Sequence, residues 1–321
     1  MEKILEVKDL KITHKPTGKT IVREINLELH KKEILGIVGE SGSGKSITMY
    51  SLLGLLPESL SVEGKIILNN QQINYSQETL KKIRGREIGI IFQDPLNALN
   101  PILKIEDQLK LLAKSQNIPY HLAKKEIIET LDRIGIHQSE RVLKSFPYQL
   151  SGGMLQRVVI SLVLLLKPKI IIADEPTTSL DVTIQKEIIN ILKEIRESHS
   201  LSIIFITHDL LLAKEICDNL LIMYSGYIVE KGKTPEIFTT PLHPYTKGLI
   251  NSVPTVNYKP QKLYYIPGRI PHFSELPAHC PFAPRCPIVE EICLSSMPKE
   301  ETINSHSVRC FKALKTSTSL T

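Results

Sequence analysis

The stretch Gly39-Glu40-Ser41-Gly42-Ser43-Gly44-Lys45-Ser46 decides how the 321-residue chain is read. It follows an apolar run, Glu33-Ile34-Leu35-Gly36-Ile37-Val38, that predicts a buried strand, and it precedes Ile47 to Leu56, which predicts a helix. In that strand–loop–helix context a G-x-x-x-x-G-K-[ST] string is a phosphate-binding loop. The glycines let the backbone curl with its N–H groups turned inward, and the helix start adds the positive end of its dipole. Lys45 would reach the outer phosphates and Ser46 would ligate Mg²⁺. The bland alternative, a Gly/Ser-rich turn with a chance lysine, does not explain eight residues in register.

Working outward, hydrophobic residues make up 42% and charged residues 23% of the chain, ordinary for a globular protein. Even the apolar run Val158 to Leu166 is interrupted by Ser161 and ends at Lys167, far short of a membrane span. The charged, alternating start Met1-Glu2-Lys3-Ile4-Leu5-Glu6 predicts no signal peptide and a chain that stays in the cytosol. The net charge of +6 comes from scattered lysines, not a basic block, and does not by itself argue for nucleic acid.

Leu5–Ile12 and Ile21–Leu29 alternate apolar and polar residues around Pro16-Thr17-Gly18, predicting an antiparallel pair. A hairpin-like stretch, Gly64 to Ile73, turns at Asn69-Asn70, and Glu87 to Gln93 predicts a buried strand. From Pro95 the character changes. Ala123, Ile127, Leu131 and Ile134 recur at helical spacing, which predicts a helical subdomain, about residues 95–165, inserted into the core. Then come strand Lys169–Ala173, helix Val182–Ser198, strand Ser202–Thr207, helix Leu210–Asn219 and a hairpin through Ser225-Gly226. Strands alternating with helices imply a largely parallel α/β sheet. A nucleotide-binding domain is therefore expected over residues 1–233. Residues 234–321, rich in proline, are expected to form an extension with little regular structure and a frayed tail from Lys312.

Asp174 ends a strand beside the phosphate loop, where Mg²⁺ needs a carboxylate, and Glu175 is placed to polarise a water for in-line attack. Leu150-Ser151-Gly152-Gly153-Met154 precedes a helix that Ser151 would cap. Together these resemble the ATP-binding-cassette (ABC) ATPase family. The phosphate loop is joined by Phe92-Gln93-Asp94-Pro95 as Q-loop, Leu150–Met154 as signature, Ile170–Glu175 as second nucleotide motif, Ser179-Leu180-Asp181 as D-loop and Thr207-His208-Asp209 as switch histidine.

The resemblance implies two such domains facing head to tail around two ATP molecules. Gly39, Glu40, Ser41, Gly42, Ser43, Gly44, Lys45 and Ser46 would hold ATP, and Ser46, Gln93 and Asp174 would serve Mg²⁺. Glu175 would be the catalytic carboxylate with His208 on the γ-phosphate, and Ser151, Gly152 and Gly153 would touch the partner's ATP. Two departures stand out: no aromatic ring near Thr17, Ile21 and Val22 to stack on adenine, and Met154 where the signature commonly has glutamine.

Pro241-Leu242-His243-Pro244-Tyr245-Thr246-Lys247-Gly248-Leu249, followed by Ser252-Val253-Pro254, Ile266-Pro267-Gly268 and Cys280-Pro281-Phe282-Ala283-Pro284-Arg285-Cys286-Pro287, is similar to oligopeptide/dipeptide (and nickel) importer ATPases, closest to the D-type subunit. That implies the ATP-hydrolysing motor of a bacterial importer on the cytoplasmic face of the membrane, with peptide cargo or, alternatively, nickel or a metal chelate. Its partners would be a second ATPase chain, two membrane permease subunits and an extracytoplasmic binding protein. The competing class is a soluble ABC ATPase acting on DNA or ribosomes. It is disfavoured because no sustained heptads separate Lys45 from Ser151 and the chain holds one cassette; no nucleic-acid partner is expected.

Of five cysteines, Cys280, Cys286, Cys293 and Cys310 follow the pattern C-x5-C-x6-C-x16-C. Four thiols in a segment with little core of its own suggest a metal centre. Zinc usually takes closer pairs, and the wider spacing suits an iron–sulfur cluster better; a metal-free segment is the third option. The D-type resemblance associates a [4Fe–4S] cluster with this pattern. Its distance in sequence from Lys45 and Glu175 assigns it a structural role only. Cys217 reads as a small core hydrophobe, and His279 and His306 as solvated loop histidines.

Overall fold

A computed structural model describes residues 2–178, 180–253 and 264–313. Ser179 of the D-loop, Pro254 and the tail from residue 314 lie outside the described residues. The chain forms two compact units, one of Met1–Ile73 with Phe205–Thr321, the other Asn74–Ile204.

The first unit opens with β1 (Lys3–His14) and β2 (Lys19–His30), paired antiparallel as the alternation predicts. The buried strand β3 (Ile34–Val38) leads through the phosphate loop into α1 (Lys45–Leu52). That helix starts at the loop's own lysine, two residues before the expected Ile47, and Leu53 caps it before Gly54 at φ 60. β4 (Leu60–Leu68) and β5 (Gln71–Gln72) turn through Asn69 and Asn70, both with positive φ, and β4 pairs with β1. The result is a four-stranded sheet of order β2-β1-β4-β5.

The second unit begins with α2 (Gln77–Ile83), which the sequence reading passed over, although Ser76 caps it by accepting the Thr79 N–H. β6 (Ile88–Ile91) follows, shorter than the expected Glu87–Gln93. Then come α3 (Pro95–Ala98), α4 (Ile105–Ser115), α5 (Tyr120–Arg133), α6 (Ser139–Lys144) and α7 (Gly152–Leu165). Helix α5 buries Ala123, Ile127 and Leu131 and packs on α7 and α4. Each of its two large aliphatic anchors is worth about 1.5–3 kcal/mol. β7 (Ile170–Asp174), wholly buried, pairs in parallel with β6, and α8 (Val182–His199) follows it. The boundary between the units falls inside β8 (Ser202–Thr207).

The first unit resumes with α9 (Leu210–Ile216). It stops short of the expected Asn219 because the Asp218 carboxylate accepts the Ile34 N–H at 2.8 Å and Asn219 already begins the next strand. β9 (Asn219–Tyr224) pairs in parallel with β3 and turns into β10 (Tyr227–Lys233).

The extension is more regular than its prolines suggest. It contains α10 (Thr234–Thr239), α11 (Pro244–Asn251), α12 (Glu291–Ser295) and the hairpin β11 (Glu301–Ile303) with β12 (His306–Val308). Prolines 235 and 244 sit in the first turns of α10 and α11, where a missing N–H costs nothing, so they start helices here. β12 pairs antiparallel with β10, so the hairpin extends the sheet at that edge. His306 is therefore not solvated: it is buried, with Nε2 2.7 Å from the Glu230 carboxylate. Cys217 is buried as expected. No described helix is long and apolar enough to cross a membrane.

Candidate functional site

In the first unit the loop wraps its own lysine. Lys45, 5% exposed, donates from Nζ to the carbonyls of Gly39 at 2.8 Å and Glu40 at 3.1 Å. Gly44 caps α1 at φ 102, a conformation only glycine adopts without strain. Gly39 admits no side chain, since a Cβ there would lie 2.2 Å from the Met223 carbonyl oxygen. The Ser43 hydroxyl is fully buried within the loop and has no hydrogen-bond partner. A cationic lysine, a buried hydroxyl without a partner and a helix N-terminus fit a phosphate chain, which supplies acceptor oxygens and negative charge. Ser46 stands at the second position of α1, and His208 is exposed just after β8.

The extension reaches this loop. The Glu40 N–H donates to the Tyr245 phenolic oxygen at 2.9 Å. The Glu40 carboxylate accepts from both Arg285 Nη atoms at 3.1 Å, and Arg285 also donates from Nε to the Pro267 carbonyl at 2.8 Å. The guanidinium lies over the Tyr224 ring, 5.7 Å from its centroid. Tyr224, Tyr245 and Phe282 pack ring against ring with centroids 4.8–5.5 Å apart and are all buried. His243, also buried, accepts the Tyr245 N–H through Nδ1, and burial lowers its pKa to about 4, keeping it a neutral acceptor. Arg285, which lies between Cys280 and Cys286 in the sequence, thus ties the cysteine segment to the phosphate loop. Remoteness in sequence is not remoteness in space.

The second unit carries the carboxylates. Asp174 is buried at the end of β7. Glu175 has φ 45, unusual for a residue with a side chain and a conformation that gathers at functional sites. Its Oε2 accepts from Gln93 Nε2 at 3.2 Å and from the Thr178 hydroxyl at 2.9 Å. Gln93 and Glu175, both site candidates, are thus brought together. The signature lies in the same unit. Ser151 caps α7, its hydroxyl accepting the Met154 N–H at 3.4 Å, and Ser151 and Gly152 are exposed. A Cβ at Gly153 would meet Ile184 Cγ2 at 2.8 Å, and one at Gly152 would meet Leu180 Cδ2 at 3.2 Å, so the signature glycines pack under the D-loop and the start of α8. Asp181 caps α8, accepting the Thr183 and Ile184 N–H groups.

Cys280, Cys286, Cys293 and Cys310 line one small cavity, together with Phe282 and His243. Among the described residues no three His, Cys, Asp or Glu side chains stand close enough to hold a single metal ion. Burial pushes the Cys280 thiol up to about 11 and raises Cys286 and Cys310, so these groups stay protonated without a metal.

A phosphate loop on a parallel α/β sheet, a carboxylate pair ending β7 and an exposed serine–glycine signature define an ATP-binding cassette. Residues 22–178 match the family described as ABC transporter, and residues 229–293 match the oligopeptide/dipeptide transporter C-terminal region. The chain is 42% identical to the oligopeptide transport ATP-binding protein OppD of Escherichia coli, over 97% of this chain and 94% of that one. It is 42% identical to the dipeptide transport ATP-binding protein DppD of Bacillus subtilis, over 97% and 95%. Among solved structures it resembles cbiO1 from Clostridium perfringens, part of the ABC transporter complex cbiONQ, with TM-score 0.66, 31% identity and 75% and 92% of the two chains covered. It also resembles MJ0796 in a dimeric post-hydrolysis state with ADP and Pi, with TM-score 0.64, 28% identity and 72% and 99% covered. The chain belongs to the ABC transporter ATPase family, in its oligopeptide/dipeptide branch.

The sequence reading quoted Tyr245 and Arg285 inside branch motifs without giving them a task. An arginine between two prolines and a cysteine, in a segment otherwise poor in charge, was the available signal.

Proposed function

We propose that the chain is the ATP-hydrolysing motor subunit of a bacterial importer for di- and oligopeptides, working at the cytoplasmic face of the membrane. The observation that carries this is the end-to-end match to peptide-transport ATP-binding proteins, C-terminal region included. ATP and Mg²⁺ are the nucleotide and cation that family membership implies. Division into a nucleotide-binding domain at 1–233 and a transporter-type extension at 234–321 accords with the two family matches.

In this reading Lys45 and the amides of Gly39–Ser46 hold the phosphates, and His208 contacts the γ-phosphate. Ser46, Gln93 and Asp174 would hold Mg²⁺, which supplies charge neutralisation on the phosphate oxygens. Glu175 accepts a proton from water as its oxygen attacks the γ-phosphorus in line and ADP leaves. The bonds from Gln93 and Thr178 fix the carboxylate's orientation for that proton transfer. Ser151, Gly152 and Gly153 complete the site of a second ATPase chain. Two permease subunits and an extracytoplasmic binding protein make up the rest of the importer.

The four cysteines would hold a [4Fe–4S] cluster. What supports this reading is that the four thiols line one cavity; among the described residues no three ligand side chains stand close enough to hold a single ion. The overall reading is tested by deleting the gene for this chain and measuring uptake of a radiolabelled tripeptide. Uptake should fall to background and return with the intact gene but not with Lys45→Ala. Unchanged peptide uptake in the deletion strain would refute the assignment.

A further inference from the structure

A triphosphate held by Gly39–Ser46 leaves its base and ribose to be housed beside the loop. Near the β1–β2 turn, where the family resemblance places a ring against the base, Thr17, Ile21 and Val22 supply none. A cavity of about 450 Å³ opens at that place, lined by Ile21 of β2, Ser41 and Gly42 of the loop, and Pro271, Phe273 and Leu276 of the extension. Its volume falls within the range of about 300–1,000 Å³ usual for small-molecule sites. The wall contributed by the extension is built. A 3₁₀ turn, Phe273–Glu275, packs against β2. The Phe273 ring meets His14 edge-on at 5.8 Å between centroids and lies 4.2 Å from the His272 ring. His272 in turn is fixed by the Ser274 hydroxyl, 2.7 Å from Nδ1.

We propose that this segment of the C-terminal extension is the base-binding wall of the nucleotide site, with Phe273 as the ring that stacks on adenine. The proposal rests on the reading of Gly39–Ser46 as the phosphate cradle. An aromatic face takes any base by stacking, and the apolar side chains of Ile21, Pro271 and Leu276 line the same cavity. The ring missing from the β1–β2 turn is thus supplied from the far end of the chain.

The chain contains no tryptophan, so Phe273→Trp places a single tryptophan, excited selectively apart from the tyrosines, at the proposed stacking position. In the full-length protein, Mg-ATP should quench its emission, whereas inorganic tripolyphosphate, which fills the cradle but carries no base, should not. Phe273→Ala should weaken Mg-ATP binding about tenfold, as expected for one lost stacking partner, and leave tripolyphosphate affinity unchanged. Calorimetry on the wild-type chain separates the two readings: no ATP binding there would refute the cradle. Normal ATP binding with no quench in Phe273→Trp, or equal losses of ATP and tripolyphosphate in Phe273→Ala, would overturn the base wall.

Discussion

Removing Arg285 should loosen the phosphate loop although it lies 245 residues away in the sequence. The Arg285 side chain is 5% exposed and that of Glu40 32%. Arg285→Ala removes a two-pronged ion pair to Glu40 and leaves the Pro267 carbonyl without the donor it has from Nε. Stripping one partner from a fully buried pair costs about 3–5 kcal/mol. Here the stranded carboxylate keeps a third of its surface in water, which recovers part of its solvation, so about 2 kcal/mol is expected. The loss should appear first as local opening of the segment from Ile266 to Arg285, read as faster amide exchange there and around Glu40. Mg-ATP affinity should fall as well, because the unneutralised Glu40 carboxylate then faces the site of a polyanion. Glu40→Gln removes that stranded charge, so the double variant Glu40→Gln/Arg285→Ala should be less impaired than the sum of the singles, with a coupling of more than about 1 kcal/mol by urea denaturation and by calorimetric ATP titration. Additive effects within about 0.5 kcal/mol would refute an energetic link between Arg285 and Glu40.

Glu175→Gln keeps the bonds' geometry but not the proton acceptor; in the assembled complex, hydrolysis should drop about 10²-fold or more with ATP binding retained, and wild-type-like turnover would show that another carboxylate is the base. On the proposed head-to-tail arrangement, in which Ser151–Gly153 would serve the partner's nucleotide, the purified chain should hydrolyse ATP weakly and gain activity when the second ATPase and permease subunits are added; full activity independent of concentration would exclude a shared site. Anaerobically purified protein should be brown, with about four irons per chain, and Cys286→Ser should bleach it and expose residues 264–313 to protease. Colourless protein holding one zinc would overturn the cluster.

The parts of this protein legible in its sequence are those whose physics is local. The phosphate loop announces itself because strand, glycines, lysine and helix are consecutive, and Asp174-Glu175 because a carboxylate pair closes a strand built on three consecutive isoleucines, Ile170–Ile172. The helical stripe of α5 is periodic and was found at Ala123, Ile127 and Leu131. What escaped depends on contacts made across the chain. The end of α9 is set by the Asp218 bond to Ile34, and the short strand β12 exists because β10 offers it an edge. Prolines 235 and 244 carry the same letter whether they break a helix or begin one. The phosphate loop's outer supports, Tyr245 and Arg285, and the ring of Phe273 come from a stretch whose composition suggested little structure.

That arrangement sets an order of events during synthesis. The second unit, Asn74–Ile204, is one unbroken stretch and is complete once it has left the ribosome, whereas the first unit is split across both ends of the chain. The loop at Gly39–Ser46 is made early, yet its hydrogen-bond partners Tyr245 and Arg285 are added after more than two hundred further residues. Domains fold as units while translation proceeds at about 5–20 residues per second, so the loop waits some tens of seconds at the slower rate, or about ten at the faster, for its supports. A chain cut short before residue 245 would carry the loop with neither of these two supports.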